Sequence, residues 1–132
     1  MSVKENKAIV RRVTEAANKL SLEGLDEIAA PEILEQWEKS LAWAQKTFPG
    51  HRIQITDMVA EGDKVWVRVA TSGGYTGGWM GIPATDTQWS NTGVGFYRLS
   101  GGKIVEYEAM YNRLGHLQQL GAKVVPSEPG GE

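Results

Sequence analysis

Apolar positions recur at helical spacing through residues 3–48 and then switch to strict alternation. Ser2, with Glu5 three residues on, is a capping-box pattern that starts a helix at Val3. Ile9, Val13, Ala16, Ala17 and Leu20 form its apolar stripe, while Lys4, Lys7, Arg11, Arg12 and Glu15 lie largely off that face. Leu22, Leu25 and Ile28 predict a short second helix over 22–29. Pro31 suits the first turn of a third, whose stripe is Leu34, Trp37, Leu41, Ala44 and Phe48 and which Pro49-Gly50 ends.

From Arg52 the period is two. Ile53, Ile55 and Met58 mark a first strand, and Glu61-Gly62-Asp63 turns it into a second, where Val65, Val67 and Val69 alternate with Trp66, Arg68 and Ala70. The valine face is expected to pack inward. Residues 73–83 carry too many glycines for a simple strand and read as a loop or broken strand. Thr87 to Leu99 is a third strand, with Gly93 and Gly95 suited to sharp bending, and Ser100-Gly101-Gly102 turns into a fourth over 104–111. Leu114, Leu117 and Leu120 then give a short C-terminal helix. Three helices followed by four antiparallel strands predict an α+β fold, with the helices on one face of a curved sheet and a pocket between them. One domain is expected over 1–125, with 126–132 (P-S-E-P-G-G-E) as a flexible tail.

Composition narrows the function. A chain of 132 residues, 41% apolar and 23% charged, is an ordinary single globular domain. A net charge of −2 offers no basic surface for nucleic acid or an anionic membrane. The absence of cysteine excludes a disulfide framework and thiolate chemistry and agrees with a reducing cytoplasm. No apolar leader or membrane-length run is present, so a cytoplasmic location is expected. Two His residues without His-x-x-x-His spacing argue against a metal site. Five Trp beside 16 Gly is the one oddity, and it suits a cavity walled by flat rings.

Three stretches carry a resemblance. Residues 6–20 are similar to a family's first helix. PGHRIQITDMVAEGDKVWVRVATSGGYTGGWMGIPAT is similar to its central hairpin and T-G-x-(F/W)-x-G-I-P-P-T loop. The G-K-I-V-E of 102–106, followed by L-G-x-L-x-Q-L-G over 114–121, is similar to its close. The chain thus resembles the SnoaL-like polyketide cyclases, which share the ketosteroid isomerase and nuclear transport factor two fold. The resemblance implies a cone-shaped α+β barrel, a homodimer built through the sheet, and a hydrophobic natural-product substrate. It also implies ring closure, epoxide opening, isomerisation or rearrangement without metal or organic cofactor. The family often carries an Asp where this chain has Asn112 and a His where it has Tyr107. The family's further His, in a loop after the second helix, has no counterpart in the contracted 31–37 segment. Asn cannot exchange a proton near neutral pH.

Two sets of candidate catalytic residues share the fourth strand. By alternation, Glu106, Glu108, Met110 and Asn112 occupy one face, and Tyr107, Ala109 and Tyr111 the other. Glu108 beside Asn112 is one acid/base site, since a carboxylic acid in an apolar cleft has its pKa raised. The bland alternative is a glutamate facing solvent. If a bulge flips the register, Tyr107 and Tyr111 face the pocket and their phenols can hydrogen-bond a substrate oxygen; packing at an interface is their alternative. The substrate-binding set is Trp37, Tyr75, Trp79, Met80, Trp89 and Met110, with Trp79, Met80 and Tyr75 at the mouth and Trp37 equally explained by core filling. Structural roles are expected for His51 and His116.

Overall fold

The computed structural model describes residues 2–127; Met1 and most of the expected tail, 128–132, lie outside the described residues. Helix α1 (Val3–Asn18) begins with the capping box, the Glu5 amide donating to Ser2 Oγ over 3.0 Å, and buries Val10 and Val13. Helix α2 (Pro31–Thr47) starts on Pro31 and buries Ile33 and Trp37. Between them the expected second helix is a single 3₁₀ turn, Leu25–Glu27. Gly24, at φ 84°, breaks the helical path before it, and the chain after it is drawn alongside the sheet. There the Ala30 amide donates to Ile104 O over 2.9 Å and the Ile104 amide to Ile28 O over 2.8 Å.

The sheet is antiparallel in the order β1 (Arg52–Glu61), β2 (Lys64–Gly73), β3 (Trp89–Ser100), β4 (Lys103–Tyr111). A seven-residue helix, α3 (Arg113–Gln119), follows. The other margin of the sheet is held by Asn18, whose side chain both donates to Ile53 O and accepts from Ile53 N, each over 2.8 Å. Helices α1 and α2 and the 3₁₀ turn pack on the inner face through Val65, Val67, Val69, Leu99 and Ile104. A second cluster, Phe48, Tyr75, Trp89 and Leu120, closes one end. Among the described residues no helix is long and apolar enough to cross a membrane.

Two irregularities decide which side chains face inward. In β1, Ile55 pairs with Val69 and Asp57 with Arg68, leaving Thr56 unpaired; Ile53, Ile55, Met58 and Ala60 can then all turn inward. In β4, Ile104 pairs with Leu99 and Glu106 with Arg98, leaving Val105 unpaired. Each extra residue bends its strand and switches the alternation. Ile104 is therefore fully buried and yet shares a face with Tyr107, Ala109 and Tyr111, not with Glu106 and Glu108.

The inner face of β3 reads Trp89, Asn91, Gly93, Gly95, Tyr97. Its middle has no side chains, and Ala109 stands opposite Gly95. The gap is partly taken by Tyr111, which pairs with Gly93: a Cβ at Gly93 would overlap the Tyr111 ring and stand 2.8 Å from Met110 O. Gly93→Ala is accordingly expected to lower unfolding free energy by about 1–3 kcal/mol through overpacking. Urea denaturation checks this, and an unchanged midpoint would show that Tyr111 has room to move aside.

Candidate functional site

A hollow of about 470 Å³ lies between α1, α2 and the inner face of the sheet. That size is ordinary for a small-molecule site. It exists because Gly95 and Ala109 leave the middle of the inner face bare while large rings stand at either end.

At one end are Tyr97 and Tyr107, with ring centroids 5.1 Å apart, and Trp37, whose ring meets Tyr107 edge-on at 5.5 Å. Tyr111 follows along β4 toward the middle. Burial raises the pKa of all three phenols, and for Tyr97 the neighbouring Tyr107 and Tyr111 add to it. They stay protonated at neutral pH, as donors. Among the described residues, no protein group takes a hydrogen bond from any of them.

At the other end His116, buried on α3, stacks on Trp89 with centroids 3.9 Å apart and meets Trp79 at 4.9 Å and Phe48 at 5.1 Å. Its Nε2 has no hydrogen-bond partner among the described residues. Burial, and then His51 and Arg113, hold its pKa down at about 4. Burial lowers His51 as well. Both imidazoles are therefore neutral at pH 7. Arg113 completes this end, its guanidinium carbon 5.9 Å from the Trp79 ring centroid. Trp89 is fixed from behind, donating from Nε1 to Gly74 O over 2.6 Å.

The bulge at Val105 sorts the two candidate sets on β4. Tyr107 and Tyr111 line the hollow. Glu108, paired with Phe96, and Met110, paired with Val94, lie on the outer face of the sheet, away from it. Asn112 lies outside the hollow too, as the N-cap of α3: its Oδ1 accepts from the Gly115 amide over 3.0 Å. Of the substrate-binding set, Trp37, Trp79 and Trp89 line the hollow. Tyr75 instead packs behind Phe48, and its hydroxyl donates to Ile82 O over 2.6 Å and accepts from the Trp79 amide over 2.9 Å. It sets the shape of the glycine-rich loop. Met80, in the left-handed region at φ 51°, is 74% exposed and points away.

Sequence reasoning did not single out Tyr97, Asn91 or Arg113, and expected only structural roles for His51 and His116; all five line the hollow. Alternation along β3 could have found the first two, because Trp89, Asn91 and Tyr97 share the face of Gly93 and Gly95. The histidines carry no such signal. Residues 51 and 116 are distant in sequence and meet only through the packing of Phe48 and Trp89 between the elements that bear them.

The SnoaL-like polyketide cyclase family model matches residues 7–120. No curated protein matches the chain in sequence. Among solved structures, AclR from Streptomyces galilaeus, to which a hydroxylase activity has been ascribed, is 26% identical with a TM-score of 0.82, covering 95% of this chain and 91% of its own. IdmH from Streptomyces antibioticus, a proposed polyketide cyclase, is 26% identical with a TM-score of 0.78 over 89% of this chain and 99% of its own. TsrD from Streptomyces laurentii, at 22% identity, shares the fold with a TM-score of 0.84 over 93% of this chain and 99% of its own. The helices and the curved four-stranded antiparallel sheet are the fold of the SnoaL-like polyketide cyclases, and the chain belongs to that family.

Proposed function

We propose that the protein is a small enzyme that closes, isomerises or rearranges a ring on a hydrophobic natural-product intermediate, through hydrogen bonds and proton transfer by its own side chains. The observation that carries this reading is the placement of three protonated, unpartnered phenols and two neutral imidazoles on the wall of one largely apolar hollow. His51, lowered by burial alone, is the imidazole assigned to take a proton from a carbon made acidic by an adjacent carbonyl. The negative charge passes to the carbonyl oxygen, where Tyr111, toward the middle of the hollow, donates to it in a site of low dielectric, while Tyr97 and Tyr107 hold a second oxygen at the far end. The resulting carbon nucleophile adds within the same molecule or takes the proton back at another position. His116, held at about 4, is too weak a base for that step and is assigned to donate a hydrogen bond from Nε2 to the substrate.

A second reading, a pocket protein that binds such a ligand without changing it, has one observation in its favour. Among the described residues no Asp or Glu lines the hollow, and so none supplies a carboxylate base there.

The reading extends to assembly. The outer face of the sheet carries Trp66 stacked near Phe96, with centroids 4.7 Å apart, beside exposed Val59, Val94 and Met110. A second copy of the chain is proposed to cover this patch. Sedimentation at micromolar concentration should then show a dimer, and Trp66→Glu a monomer.

Exchange of the α-protons of 2-tetralone in D₂O, followed by NMR, tests the chemistry. Tyr111→Phe and His51→Gln are each expected to slow exchange by about tenfold to a hundredfold. Glu108→Gln, on the outer face, should stay within about twofold of the unchanged protein. Binding of the ketone without any acceleration would decide for the second reading.

The buried imidazole also predicts a pH dependence of stability. Between the folded value of about 4 and the ordinary 6.5, the unfolded state binds the proton that folded His116 refuses. Stability from this group is therefore full above about pH 6.5 and is lost as pH falls toward 4. His116→Phe should flatten part of that slope in urea titrations at several pH values, and identical slopes would contradict the assignment.

A further inference from the structure

We propose that the end of the hollow around Arg113 and His116 is a subsite for an anionic group, so that the molecule bound is a ring-bearing carboxylate whose direction in the hollow is set by charge. This rests on the reading above, that the hollow is the ligand site, and adds to it the substrate's chemical class and orientation.

Three observations carry it. Arg113 lines the hollow and has no acidic partner: the ion pairs among the described residues join Arg12 to Glu27, Lys39 to Glu35 and Arg98 to Glu106. Among the described residues no carboxylate lines the hollow to neutralise it, and its neighbour Asn112 is uncharged, with Oδ1 already used on the Gly115 amide. Beside it His116 is 93% buried with its Nε2 unpartnered, an arrangement that protein interiors rarely leave unsatisfied. The guanidinium's field reaches that imidazole and helps to lower its pKa, so the charge is not cancelled locally.

The two ends differ in kind. Tyr97 and Tyr107 offer neutral donors, suited to a carbonyl or enol oxygen, whereas Arg113 offers a full positive charge and a planar fork suited to carboxylate. A flat apolar ring alone would find walls of aromatic rings in either direction. A carboxylate seated at Arg113 directs the far end of the molecule to the phenols. Because Arg113 is exposed at the rim, the attraction is partly screened and should weaken as salt is added.

The probes are anthracene-2-carboxylate and anthracene-2-carboxamide, equal in shape and different in charge, with affinity read from quenching of tryptophan fluorescence. The carboxylate is expected to bind at least tenfold more tightly than the amide at low ionic strength, the gap narrowing in 0.5 M KCl. Arg113→Gln should weaken the carboxylate about tenfold, leave the amide within twofold and so close the gap; Arg113→Lys should keep part of it. In NMR titrations the His116 pKa should sit higher with the carboxylate bound than with the amide. Equal affinities in the unchanged protein, or a gap that survives Arg113→Gln, would overturn the proposal while leaving the hollow's role intact. Binding of neither probe would overturn both. A carboxylate preference in a protein that fails to accelerate 2-tetralone exchange would uphold the subsite and remove the catalytic reading.

Discussion

The structure depends on side chains that are not there. Gly93, Gly95 and Ala109 leave the centre of the inner face bare, flanked by Trp89 at one end and Tyr97 and Tyr107 at the other. Interiors are normally packed to the density of organic crystals. At roughly 24 cal/mol per Å³, a sealed and empty void of this volume would cost about 11 kcal/mol, comparable to the whole stability of a domain. A hollow of that size persists because it opens to solvent and is bounded by rings that brace one another edge to face. Phe48 alone stands within about 6 Å of the rings of Trp43, Trp79, Trp89, Tyr75 and His116.

The polar groups admitted to this space share one character. Phenols, amide, imidazoles and guanidinium can all donate, and among the described residues no carboxylate is present on the wall to take those donations. A low-dielectric site built this way favours oxygen atoms that carry or develop negative charge. Burial keeps both imidazoles neutral, and for His116 the neighbouring His51 and Arg113 add to it.

Much of the fold was legible in the chain. The capping box at Ser2, the Pro31 start, the valine alternation of β2 and the Gly101-Gly102 turn each express a local rule, and each appears in the structure. The segment 22–29 was less legible. Its apolar spacing suits a helix, but Gly24 and the pull of Ile104 on the backbone of Ile28 and Ala30 leave one 3₁₀ turn. The site was legible only up to a choice between two faces of β4. That choice turns on one unpaired residue, Val105, and nothing in its β-branched side chain announces a bulge. Arg113 passed unremarked, and the histidines were expected to be structural, for another reason: their significance lies in what surrounds them, and their neighbours come from β1, β3 and the loop carrying Trp79.

Both outer strands of the sheet are met by groups from the helical layer that imitate a neighbouring strand. The Asn18 amide answers both backbone groups of Ile53 on β1, and the run 28–30 answers those of Ile104 on β4. Bare margins are where sheets of different molecules stitch together into larger aggregates. With each margin interrupted at such a point, growth of the sheet from chain to chain is obstructed on both sides.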